Sequence, residues 1–413
     1  MKKLFTALLA LTLIFGLAAT AFAADALSKK TLNPDFPDCP LISDADYYPE
    51  NYIGYVYPVR PGKTEWISVA DDHMEMIKSC QIPSAVLEAM STEQLVQSML
   101  SYPLAIDILA YDSVFEGFDI VARYSNGISE LINREQAGLY LLDAFEAQNL
   151  VDPNELDQSS VEAFRSDGEI DISSPVGYRA VMQMFRNLIT EIFLAQPAFM
   201  ETLTEPEITR LSAAITRKEQ EKSALDPEFY ASSDLSDILG GAVTRASGTW
   251  NGYDITYTIA PPFTASGVTV SDAFDVSNEL TSAQKTYLNT IWGVAHITAI
   301  RFADPSLKYN CHSYAWHKTS GQYIINYRAT FGTTNYSSAN KDQSASYVVG
   351  KSRITYKENG SISHSGIISS VNTSDLQKSK VKSKWAHAGA YEHPIKACPY
   401  WVDWASITIY KQK

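Results

Sequence analysis

The sequence predicts a multidomain chain, an all-α N-terminal domain followed by an α+β C-terminal domain. Three observations carry this. Helix start signals and 3.6-residue apolar spacing dominate from about residue 66 to 222. Short alternating or apolar runs suited to strands replace them further on. Charge divides at about the same place: residues 24–291 hold 16 Lys/Arg against 41 Asp/Glu, and residues 292–413 hold 15 against 6. Such asymmetry between segments marks a domain boundary. About 390 residues after a leader also exceed what one core usually serves, so two or three domains are expected.

The first 23 residues read as a signal peptide. Lys2 and Lys3 give a positive start, residues 4–20 are an apolar run, and Ala21-Phe22-Ala23 offers small-x-small cleavage. The alternative is an uncleaved anchor. No later run approaches the roughly 20 apolar residues of a span, so the expectation is a secreted or wall-associated protein without stable membrane insertion.

Residues 24–65, rich in Pro, Asp and Tyr, read as an irregular lead-in, and 66–225 as an acidic helical domain. Ser91 with Gln94 is a capping-box pattern opening a helix with Leu95, Val96, Met99 and Leu100 on one face. Asn133 and Gln136 repeat it before Leu139, Leu142 and Phe145. Thr204, Pro206 and Glu207 start another helix carrying Ile208, Leu211 and Ile215. Residues 181–195 are apolar on a wide face and read as buried. The Ser-, Asp- and Gly-rich 226–249 reads as a linker. Residues 250–289 read as a short β element, alternating through Ile255, Tyr257 and Ile259, and a connecting helix capped by Thr281 or Ser282.

The chemistry is expected in the basic domain, 290–413. Cys311 follows the turn-forming Asn310 and precedes a segment that can be helical. A thiol at a helix start sits at the positive end of the backbone dipole, which favours the thiolate nucleophile. His364 heads an apolar strand with Gly366 permitting close backbone approach. Residues 381–385 read as the next strand. Four cysteines in an exported chain also invite disulfides, Cys39 with Cys80 and Cys311 with Cys398, the latter competing with a catalytic Cys311. A zinc site of Cys311, His312 and His317 lacks the paired spacing of structural zinc, so no metal and no cofactor is expected. Trp316, Trp385, Trp401 and Trp404 read first as core, with a substrate groove as the alternative.

A cysteine at a helix start, followed about 50 residues later by His364-Ser365-Gly366-Ile367-Ile368, resembles the NlpC/P60 and CHAP branch of papain-like hydrolases. The resemblance covers roughly residues 290–413. It implies a papain-like C-terminal fold with Cys311 as nucleophile and His364 as general base. The third, orienting position falls on Ser383 or Lys384, neither of them the usual His, Asn, Gln or Glu, with His393 as the replacement to consider. Tyr309 or Asn310 would help stabilise an oxyanion, and Trp385 and His393 would contact substrate. The implied activity is a cysteine peptidase or amidase cutting amide bonds of peptidoglycan peptides, and the basic charge suits an anionic wall. The alternative is a non-catalytic secreted binding or structural protein with a degenerate papain-like domain. A third reading has the acidic half docked on the basic half and restraining it. No phosphate loop, dinucleotide fingerprint or basic-aromatic nucleic-acid patch occurs, so nucleic-acid partners are not expected.

Overall fold

A computed structural model describes residues 41–111, 113–167, 170–233, 279–317 and 336–413, with strand pieces at 257–259, 263–265, 268–270, 273–276 and 324–325. The expected signal peptide, Cys39 and residues 234–249 of the expected linker lie outside the described residues.

The N-terminal half is helical. Thr92–Leu100 begins at a complete Ser91/Gln94 capping box and buries Leu95, Val96, Met99 and Leu100. Glu205–Leu225 begins at the Thr204/Glu207 box, with Pro206 in its first turn. Pro175–Leu194, capped by Ser174, buries most of its length and packs against Ala137–Ala147. The repeat at Asn133 does not act as a cap: Asn133 closes the preceding helix, and Gln136 makes no side-chain cap bond. A helix, Pro227–Ser233, occupies the start of the expected linker. The lead-in is irregular but not loose. Tyr57 and Arg60 are fully buried, and the Arg60 guanidinium lies 4.2 Å from the Tyr47 ring centroid and 2.8 Å from Asp44.

Twelve strands are described. In chain order they are β1 (Tyr257–Ile259), β2 (Phe263–Ala265), β3 (Val268–Val270), β4 (Ala273–Val276), β5 (Ile300–Ala303), β6 (Ile324–Ile325), β7 (Tyr336–Ala339), β8 (Arg353–Glu358), β9 (Ser361–Ser370), β10 (Lys380–Lys384), β11 (Ala390–Pro394) and β12 (Ile407–Gln412). β1, β4 and β6 pair in one small sheet, and β2 and β3 form a second. The main sheet is antiparallel, with seven strands in the order β5-β11-β10-β9-β8-β12-β7. The expected strand at His364 is therefore the central β9. Gly366 on it faces Ser383, and a Cβ there would come within 2.3 Å of Val381 Cγ1. Glycine is needed for this close cross-strand approach.

The expected boundary at 289/290 falls inside a helix. Ser282–Ala295, opened by the Thr281/Gln284 capping box, runs through it. That helix packs on Gln158–Asp167 and Pro227–Ser233 and sends Trp292 to Trp385 and Tyr391 of the sheet side, with ring centroids 5.4 and 6.4 Å away. One core of buried side chains, from Ile42 to Ile409, spans both halves. The seam is also tied by polar contacts. Trp66 Nε1 donates to Ala295 O at 2.9 Å, Thr298 Oγ1 to Ala70 O at 2.8 Å, and the Tyr400 hydroxyl to Ala110 O. The two compositional halves are thus packed as one body. Among the described residues no helix is long and apolar enough to cross a membrane.

Candidate functional site

Strand alternation assigns the candidate residues to faces. On β9, His364, Gly366 and Ile368 face one way, and Ser365 and Ile367 the other. The register Tyr356↔His364, Val381↔Ile368, Ser383↔Gly366 and Val381↔His393 puts Tyr356, Ser383 and His393 on the His364 side. That side, the inner face, meets the helical half and the 282–295 helix.

The Cys311 segment lies on the outer face. Asn310 caps its short helix by accepting the Ser313 N–H on Oδ1 at 3.1 Å. One turn is then fastened to one hydroxyl: His312 Nδ1 and Trp316 Nε1 each lie 2.9 Å from Ser365 Oγ. Arg353, also outer, donates from Nε to Ala315 O. Cys311 is buried and forms no disulfide. Cys398 and Cys80 likewise form no disulfide, so the Cys311–Cys398 bridge is not made; Cys39, the expected partner of Cys80, lies outside the described residues. Ser365, which holds the turn after Cys311, and His364 therefore face opposite sides of β9.

His364 is fully buried, stacks on Tyr400 at 4.1 Å and 11°, and lies 5.5 Å from the Tyr356 ring. Among the described residues neither of its ring nitrogens has a hydrogen-bond partner, so it is not bonded to Cys311. Burial drives its pKa well below the ordinary value, and His393 and His312 add to the effect, so the ring is neutral.

Ser383 is bonded to His393 and not to His364. His393 Nδ1 lies 2.8 Å from Pro394 O, a carbonyl that can only accept, so Nδ1 carries the proton. Nε2 then accepts from the Ser383 hydroxyl at 2.8 Å, and Trp385 Nε1 donates to Ser383 Oγ at 3.0 Å. Burial lowers the His393 pKa to about 4, against a partial offset from the Pro394 bond, so this chain holds a neutral imidazole. Trp385 is fully buried and is core, not a groove wall. Trp316 and Trp401 are buried likewise.

Lys384 is fully buried, and its ammonium is held by the carbonyls of Ser306, Ala386 and Ala388. It fastens the turn after β10 to the loop leading to Cys311. It also lies 5.0 Å over the Tyr309 ring, whose hydroxyl burial pushes up to about 12. Of the residues read as one site, Tyr309, Asn310, Cys311 and Lys384 thus share the outer side. His364, Ser383, Trp385 and His393 share the inner one.

A polar cluster at the seam had no sequence signal. His73 Nε2 and His296 Nε2 bind the two oxygens of one carboxylate, Asp107 Oδ2 at 2.7 Å and Oδ1 at 2.6 Å. All three are buried. Burial raises the Asp107 pKa, but the charges and hydrogen bonds of His296 and His73 outweigh it and hold the carboxyl at about 2. These residues come from a helix start, a 3-10 turn and a helix end, far apart in the chain, and no local pattern could have joined them. The Ser383–His393 pair was legible in principle, because both lie on the same parity of adjacent strands.

No protein family, curated protein or solved structure matches this chain.

Proposed function

We propose that this chain is an exported binding or structural protein whose C-terminal part keeps the strand and helix pieces of a papain-like hydrolase domain without a working Cys–His pair. One observation carries the reading. Ser365 fastens the Cys311 helix to the outer face, while His364, the preceding residue, stacks on Tyr400 under the inner face. A general base must reach the proton it takes, at about 2.6–3.2 Å or through one water. The basic residues of 292–413 suit an anionic partner such as a wall polymer.

The test is iodoacetamide labelling of the purified chain at pH 6, read by intact mass and peptide mapping. The expected result is no preference for Cys311 and no change in its rate in a His364→Ala variant. Selective labelling of Cys311 that disappears in that variant overturns the reading.

One observation favours a second reading, an exported cysteine peptidase or amidase acting on cell-wall peptides. A buried polar group without a partner costs about 1–3 kcal/mol, and His364 leaves two ring nitrogens in that state. A base reserved for a nucleophile's proton explains the cost. In this reading His364 takes the Cys311 proton and the thiolate attacks the amide carbonyl. The protonated imidazole then gives its proton to the departing amine, and water releases the acyl group. Tyr309 or Asn310 assists at the oxyanion, and Ser383 or Lys384 holds the third position. Release of amines from purified peptidoglycan, lost in Cys311→Ala, is the result it requires.

A further inference from the structure

Four of the seven histidines in the chain are buried at the seam between the helical half and the inner face of the sheet. His73 and His296 share Asp107. His364 stacks on Tyr400, whose hydroxyl donates to Ala110 of the helical half. His393 completes the row through Ser383 and Trp385, and the Trp385 ring centroid lies 5.2 Å from that of His296.

We propose that this seam is an acid-sensitive latch: uptake of protons by His364 and His393 separates the helical half from the inner face while the helices and the sheet persist.

The surroundings explain the direction. Asp107 is the carboxylate that the His73–His296 pair can use, and it serves both rings. Around that pair stand Cys80, Tyr102, Tyr111 and Cys398, all neutral at pH 7 because burial holds their protons on. His364 faces Tyr356, Tyr400, His393 and, from the outer side, His312, with no carboxylate among them. His393 faces Ser383, Trp385 and His296. The ion pairs near the seam, Lys396–Asp72 at 3.2 Å and Arg123–Glu358 at 3.4 Å, are partly exposed and already matched. Protons added to His364 and His393 therefore enter the seam uncompensated, which favours whichever state exposes those rings to water. Opening the seam does this without melting either half.

Cys398, fully buried on the inner side, reports the opening, and Cys311 on the outer side is the internal control. Full-length protein would be treated with a dipyridyl disulfide from pH 7 to pH 4.5, with rates normalised to a small free thiol. Far-UV circular dichroism would be followed in parallel. Cys398 labelling is expected to rise roughly 50-fold with the far-UV signal unchanged, from one histidine held at about 4 against an ordinary 6.5. His364→Phe keeps a ring on Tyr400 and removes a titrating group, so the rise should move to lower pH. If that variant does not fold, the wild-type slope decides: the logarithm of the rate must rise by about 0.7 to 1 unit per pH unit between pH 6.5 and 4.5. A flat slope, an unshifted rise in His364→Phe, equal rises at Cys311 and Cys398, or labelling that appears only as the far-UV signal collapses, each overturns the latch.

Discussion

The two faces of the central sheet use similar residues to different ends. The inner face carries His364, Ser383, Trp385 and His393 into a sealed contact with the helical half, where even the hydroxyl of Ser383 is spoken for. The outer face holds a short cysteine-bearing helix through one serine and one arginine, with Lys384 clamping the loop before it. Reactive side-chain types do not make a site unless the pleat sends them the same way. On β9 one residue of offset separates Ser365 from His364, and with it the outer helix from the inner imidazole.

The largest expected effect sharpens the inner side of this comparison. Trp385→Ala removes a fully buried indole packed on Trp292, Tyr391, His296 and His393, and it strips a donor from Ser383. It should cost about 4 kcal/mol, read as a lower urea midpoint. An effect below about 1 kcal/mol would mean the inner face is not a packed core.

A smaller effect comes from pH. His393 is lowered in the folded chain to about 4 and titrates near 6.5 when unfolded, so its stabilising contribution is complete above pH 6.5. It is lost as pH falls from 6.5 towards 4, by about 3 kcal/mol in all. Urea titrations at pH 7 and pH 4.5 measure this, and in His393→Gln the difference between the two should shrink. Stability that is flat or rises on acidification contradicts the buried neutral ring.

The smallest effect belongs to the outer face. Ser365→Ala leaves His312 Nδ1 and Trp316 Nε1 without their shared partner and should cost about 2 kcal/mol. Hydrogen exchange should quicken at residues 311–317 and stay unchanged at 92–100. Equal quickening in both segments would show that the outer helix is not held separately.

Local chemistry was legible. The Ser91, Thr204 and Thr281 capping boxes open helices where the sequence puts them, because a cap needs partners only three residues away. Asn133 failed because it had two local uses and closed one helix rather than opening the next. The division into helical and sheet-bearing parts was legible for the same reason, since apolar period is a local property. The candidate site was legible only as residue types. Cys311 at a helix start and His364 on a strand stand where the pattern puts them. Which face each meets depends on which elements cover the sheet.

The sequence by itself therefore determined the helix starts, the strands at 361–370 and 380–384, and the change in charge along the chain. Each follows from interactions within a few residues, or from a sum over residues. Only the tertiary structure decided that the two halves share one core, that Lys384 clamps backbone carbonyls, and that Ser383 serves His393. The same holds for Asp107, which joins His73 to a histidine 223 positions further on. Such contacts are set by packing between distant segments, and burial then dictates which polar groups must find each other, because a buried polar group left alone is expensive.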